Sequence, residues 1–400
     1  MTKNQSTSIR WQELDVLRGL AVVLMIINHL EVATLAPSQL SSGLAGILFV
    51  IGSFAPVVFF FVTGVGYGLQ SSKQKANHWY VILNKVAVLF LADQLMHWSE
   101  GRWLGLDFLG FIGFSSLVLE LIRVSSSPVA YCFTGLVSVS LMRYLLLPGL
   151  RTLGYQPTWG WLGWIIGYND VPGVEYTLSP WLAYPFVGYL VGVATMRYQV
   201  AIQKRRWQVI SSLLLIGVVP AIAGIILTQH GSSLFRWGSV AIGFYITSFA
   251  ALLVGLALSL AISSDRRLKF SSNALLMKGI SSFAVVPVHY FLIYLLVILG
   301  VSGLVGSFNF YLLLAATLTS SFLLAHLLEN CSQMIRQIQQ QRLVWLSLVV
   351  TFLLMAGFTL FLHPGTFFVM LTRTIGQIVL CLLFVIRPPV LGTKAKLKTS

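Results

Sequence analysis

Runs of about twenty apolar residues follow one another from Leu17 to Ile386, and they limit this chain more than any other feature. At about 1.5 Å of rise per helical residue, such a run matches a hydrocarbon layer about 30 Å thick. Lipid offers no water to bond a free N–H or C=O, so a lipid-exposed run of this kind closes its own hydrogen bonds as a helix. Twelve such helices fall near 17–35, 46–69, 80–97, 106–123, 129–147, 178–196, 208–228, 238–263, 280–300, 308–328, 343–362 and 366–386. The fifth and the last two carry the thinnest signal. The expectation is therefore an all-α, polytopic membrane helix bundle of about 10–12 transmembrane helices, built as one domain over residues 1–386.

Composition agrees. Of 400 residues, 57% are hydrophobic and 9% charged, more apolar surface than a soluble domain can hide. The first run is long and lacks a small-residue cleavage pattern, so it reads as a retained helix. The three cysteines, Cys132, Cys331 and Cys381, stand far apart and form neither a disulfide framework nor a metal spacing.

A net charge of +15 would suggest nucleic acid in a soluble protein. Here topology accounts for it. With the N-terminus inside, 21 of the 26 Lys and Arg fall in inner segments; Arg102, Arg143, Arg151, Arg236 and Arg373 make up the outer set. That skew predicts both termini in the cytoplasm and leaves no call for a nucleic-acid partner; the expected setting is a bacterial inner or plasma membrane. The basic segment 387–400, with Pro388 and Pro389, reads as a cytoplasmic, lipid-facing tail. The longest outer connection, 148–177, holds "WGWLGW" at 159–164, which suits either an interfacial anchor or a lid over an acceptor.

Ionisable groups inside a bilayer are costly, and each asks for a reason. Arg18 opens the first span and His29 lies about 16 Å further along it. Glu31 follows near the outer surface. Asp93 and His97 are four apart, hence on one face of the third span. Asp107 opens the fourth, and His289 follows Pro287 midway through the ninth. Groups from the first, third, fourth and ninth spans thus approach one depth. Capping or snorkelling explains Glu31, His97 and Asp107. It explains His29 and His289 poorly, since both sit within apolar runs, although the carbonyl freed by Pro287 would give His289 a purely structural partner. Glu120 with Arg123, and His326 with Glu329, have the i,i+3 spacing of structural pairs.

Histidine suits general-base work near neutral pH, and a carboxylate such as Asp93 would fix its tautomer. Arg18 suits a phosphate-bearing ligand, or serves as a plain positive-inside anchor.

The first helix, with Asp15, Arg18-Gly19, Met25 and His29, resembles that of membrane-bound acyltransferases, and its Arg-to-His spacing resembles the motif of acyltransferase family 3. Later stretches resemble the heparan-α-glucosaminide N-acetyltransferase-like catalytic domain: "FAPVVFFFVTGVGYGL" (54–69), "FLGFIGFSSLVL" (108–119), "TLSPWLAYPFVGYLVG" (177–192) and "GISSFAVVPVHYFLIYLL" (279–296). The resemblance covers roughly 10–300. Relatives often carry a His where this chain has Gly110. The resemblance implies transfer of an acyl group, usually acetyl, from cytoplasmic acyl-CoA to a sugar hydroxyl or amine of a glycan or lipid-linked glycan on the far side, with no metal.

On that expectation Arg18 holds acyl-CoA. His29 acts as base or nucleophile, Asp93 or Asp107 orients it, and His289 lines the site. Asn28, Ser281 and Ser282 are candidate oxyanion donors. The alternatives are a proton-coupled transporter, favoured by buried His and Asp and by helix-breaking Gly and Pro, and an inactive relative in which Gly110 marks lost chemistry.

Overall fold

The structure, a computed structural model, describes residues 11–40, 43–71, 79–154, 160–166, 174–229, 240–264, 282–301, 307–338 and 341–385. The basic tail at 387–400, Asp170 and Ser281 lie outside the described residues. Within the described residues, each of the twelve expected spans is mainly helical. We label the helices α1 (Gln12–Thr34), α2 (Gly43–Gly52), α3 (Ala55–Gly68), α4 (Trp79–Ser99), α5 (Phe108–Val124), α6 (Pro128–Leu141), α7 (Ala183–Lys204), α8 (Arg206–Gln229), α9 (Ile242–Ser264), α10 (Ser282–Ile298), α11 (Ser307–Gln337), α12 (Gln341–Phe361) and α13 (Phe367–Val385). Among the described residues, nine spans are long and apolar enough to cross a membrane, with α2 and α3 counting as one. The only β-pairing among them is a single bridge between Leu106 and Val174.

Three spans depart from expectation for local reasons. The second is a broken pair. Pro56, in the first turn of α3, has no N–H to continue the ladder, and Ser53 turns its hydroxyl back onto the carbonyl of Phe49. The fifth continues beyond α6 through a π-helical turn at Met142–Leu146 into Leu147–Thr152. The tenth runs nine residues past its expected end, because 329–337 is polar but holds neither Gly nor Pro to stop a helix.

One cluster of buried apolar side chains runs from Leu14 on α1 to Leu383 on α13. Lipid-embedded helices gain little from hydrophobic contact with each other, so close backbone packing matters more. The α3–α7 contact shows this. Gly64 and Gly68 on α3 face Gly188 and Gly192 on α7; a Cβ on Gly64 would stand 2.0 Å from the Pro185 carbonyl oxygen, and one on Gly188 2.1 Å from that of Phe61. Two small-xxx-small motifs thus clamp two helices together. Aromatic rings of Phe60, Phe111, Tyr176 and Trp181 pack beside the clamp. Against this block stand α1 and α9, and α10 closes on α1 and α13.

Candidate functional site

Where α1 and α4 finish and α5 begins, the bundle encloses a cavity of about 580 Å³. Its walls include Asn28 and His29 of α1, His97 of α4, Asp107, Tyr176, Tyr290 of α10 and Arg373 of α13. The segment before the 178–181 turn supplies Glu175 and Tyr176. So the end of the long 148–177 connection does reach the cavity, held there by Glu175 N–H donating to the Leu106 carbonyl.

His29 and His289 meet across α1 and α10. Nδ1 of His29 lies 3.0 Å from Nε2 of His289, with the rings within 9° of parallel. Nδ1 of His289 lies 2.9 Å from the Val285 carbonyl oxygen. That oxygen only accepts, so His289 carries its proton on Nδ1 and its neutral Nε2 is an acceptor. His29 then donates from Nδ1, which leaves Nε2 of the neutral ring unprotonated, as an acceptor. The Tyr290 hydroxyl donates to that nitrogen in a long bond of 3.4 Å. The tautomer follows from the hydrogen-bond chain rather than from visible protons.

The carbonyl freed by the proline is not the one that His289 bonds. Proline at 287 cannot donate to Phe283, so the freed carbonyl is that of Phe283. The thiol of Cys381 on α13 fills it, at 3.6 Å. His289, fully buried, is therefore not spent on the proline's carbonyl.

Asp93 and His97 share a face of α4, as their spacing predicts. Their contacts differ from those expected for a partner of His29. Oδ2 of Asp93 accepts the Asp107 N–H at 2.9 Å and stands 3.6 Å from Nε2 of His97. Asp107 caps α5, accepting the Phe108 N–H at 2.7 Å. Gln94 clasps Gly105 through both amide atoms, at 2.9 and 3.1 Å. These groups shape the turn that walls the cavity. Two glycines make room for them: a Cβ on Gly110 would stand 2.5 Å from Oδ2 of Asp93, and one on Gly105 2.2 Å from the His97 ring.

Arg18 lies outside the cavity lining, below Met25 on α1. Its Nη1 reaches Asp15 at 3.2 Å, and its side chain is one-third exposed. At the same end of the bundle, Lys85 stands over the Tyr67 ring at 5.5 Å, and Glu120 holds Arg123 through two bonds of 2.8 and 2.6 Å, as their spacing predicts. Ser282 opens α10, about two turns from His289. His326 is exposed and absent from the cavity wall.

Two positions need correction. Glu31 is not a surface cap. Its helix continues to Thr34, and the residue is fully buried with neither carboxylate oxygen partnered among the described residues. Arg373, counted with the outer basic residues, is not a surface charge. It stands within α13, is 4% exposed, and lines the cavity. Its charge inside an apolar run was a signal in plain view. Tyr290 and Tyr176 also escaped sequence reasoning, since a tyrosine in such a run carries no flag of its own.

A family model for the catalytic domain of heparan-alpha-glucosaminide N-acetyltransferase matches residues 10–223, more than half of the 400-residue chain. The match takes in Arg18, His29, Asp93 and Asp107 and stops short of His289, so the resemblance drawn over 10–300 is carried by 10–223. It gives the transporter alternative no support. No curated protein and no solved structure matches the chain.

Proposed function

This chain belongs to the heparan-α-glucosaminide N-acetyltransferase catalytic family, and on that premise we propose that it is an acyl-CoA-dependent transferase working across the membrane. The acyl group, acetyl by family habit, passes from cytoplasmic acyl-CoA to a hydroxyl or amine of a glycan or lipid-linked sugar on the other side. The observation that carries this reading is the Val285–His289–His29 chain, which leaves one unprotonated imidazole nitrogen at the wall of the cavity.

In this mechanism Arg18 binds donor phosphates at the cytoplasmic end, where Lys85 adds a second cation. The thioester reaches up beside α1. Nε2 of His29 takes the proton from the acceptor O–H or N–H as that atom attacks the thioester carbonyl carbon. The new C–O or C–N bond forms, the C–S bond breaks, and the leaving thiolate takes the proton from His29. Nδ2 of Asn28, buried at the cavity wall with no partner among the described residues, is the donor suited to the oxyanion. Asp93 and Asp107 serve as positioning residues for the cavity wall, and His289 as the positioning residue for His29. Attack by His29 itself, giving an acyl-imidazole, uses the same lone pair.

The test is transfer from radiolabelled acetyl-CoA to a glucosamine-terminated oligosaccharide by purified protein. His29→Ala is expected to lower kcat by about 10³, within the range of general-base loss, at unchanged yield and thermal midpoint. Normal turnover by that variant refutes the proposal.

A further inference from the structure

Arg373 lies outside the matched family segment and has no role in the chemistry above. Its surroundings are built. Nη1 donates to the Ser99 hydroxyl at 3.3 Å, and that hydroxyl spends its own proton on the Met96 carbonyl at 2.7 Å. The guanidinium sits over the Tyr290 ring, 5.7 Å from its centroid. Nε, on the other edge, has no partner among the described residues, although the side chain is 4% exposed and lines the cavity. No carboxylate among those residues lies within ion-pair distance of it. Glu100, on the same cavity wall, is at 3.6 Å from Arg102. A buried guanidinium with an open edge is expensive to leave unmatched.

The molecule shows what that edge does when filled. Arg123 offers Nε and Nη2 to the two oxygens of Glu120, at 2.8 and 2.6 Å, the paired geometry by which arginine reads carboxylates and phosphates. Arg373 has its Nη1 side tied to Ser99, its Nε without a partner among the described residues, and its side chain in the cavity wall. One ring separates it from the reacting nitrogen: Tyr290 also lies 4.8 Å, centroid to centroid, from His29. The guanidinium and His29 are thus no farther apart than those two separations laid end to end, a span that a sugar with one anionic substituent covers.

We propose that Arg373 selects the acceptor by binding an anionic group on it, a carboxylate or a phosphate, so that a hydroxyl or amine of the same sugar reaches His29. This rests on the transferase reading above and names its substrate class.

The experiment compares three acceptors in the full chain with acetyl-CoA: methyl glucoside, the methyl glycoside of glucuronic acid, and glucose 6-phosphate. The two anionic arms tell a carboxylate source from a phosphate one. Wild type is expected to favour at least one of them over methyl glucoside through KM. Arg373→Gln is expected to raise that KM by about 10- to 100-fold, the loss of a charge-assisted pair, with kcat and the KM for acetyl-CoA held within about twofold. Arg373→Lys keeps the charge without the fork and should fall between; it also decides the matter should Arg373→Gln fail to fold. No anionic preference in wild type, an unchanged KM in the variants, or a rise confined to acetyl-CoA overturns the proposal. Should no acceptor be acylated, the transferase reading fails separately. Binding of the same two anionic probes without donor then decides, as a rise in thermal midpoint that Arg373→Gln abolishes or, against us, does not.

Discussion

Two histidines face one cavity in different company. His97 stands beside a carboxylate from its own helix, yet both its ring nitrogens lack a hydrogen-bond partner among the described residues and its ring is confined by Gly105. His29 has no carboxylate on its bonded nitrogen; a second histidine 260 positions away and a backbone carbonyl fix its proton instead. Proximity to an acid is therefore a poor guide to which imidazole is poised. The Asp93 side chain is spent on the turn between α4 and α5, whereas the His29 chain of bonds ends on an unprotonated nitrogen whose one further bond, from the Tyr290 hydroxyl, is long at 3.4 Å.

The sharpest way to break that contrast is to remove each ring in turn. His29→Ala should cost about 10³ in kcat, while His97→Ala, with the wall merely loosened, should cost less than about tenfold. Single-turnover transfer from labelled acetyl-CoA separates the two. A reversal of the order would hand the base role to the Asp93–His97 pair.

Next in size is the support of His29. His289→Ala removes the acceptor for the Nδ1 proton and frees the tautomer, for an expected loss of about 10- to 100-fold, by analogy with outer-shell partners of ligating histidines. His289→Gln puts a carbonyl oxygen where Nε2 was and should restore most of the rate. If Gln is no better than Ala, the bond between the histidines is not what orients His29.

Smaller again is the effect at Gly110. A methyl there meets Oδ2 of Asp93 at 2.5 Å and has to displace a carboxylate bonded to the Asp107 N–H. Overpacking of this kind costs about 1–3 kcal/mol. Gly110→Ala should lower the thermal midpoint and raise the acceptor KM, leaving the His29 tautomer untouched. A drop in kcat with KM unchanged would mean that the two nodes are coupled.

What the sequence made legible follows from what periodicity and charge can encode. Helix existence was legible throughout, because lipid makes apolar length a nearly sufficient condition. The Glu120–Arg123 pair was legible because both partners ride one helix. The clamp of Gly64, Gly68, Gly188 and Gly192 was present as two small-xxx-small motifs that went unread. The His29–His289 contact was only half legible: each ring declared itself by its depth, but nothing in the 259 intervening residues states that α10 lies against α1. Glu31 and Arg373 were misplaced for one reason. A charge near a helix end reads as a surface group, and only the packing of other helices shows that it is covered.

The smallest expected effect tests why His289 is available at all. Pro287 leaves the Phe283 carbonyl without its helical donor, and the Cys381 thiol supplies a weak substitute. Removing that thiol with Cys381→Ala should cost about 0.5–1 kcal/mol, the usual worth of a polar contact between membrane helices. Pro287→Ala returns an N–H to the same carbonyl, so in that background Cys381→Ala should cost close to nothing. Thermal midpoints of the two single variants and the double variant give the coupling directly. Additive losses would show that the thiol does not serve the proline's carbonyl. The observed geometry predicts non-additivity with activity retained, because His289 bonds to the Val285 carbonyl and not to that of Phe283. Loss of transfer in Pro287→Ala alone would instead make the proline a determinant of where His289 stands, and would tie the poise of His29 to the path of α10.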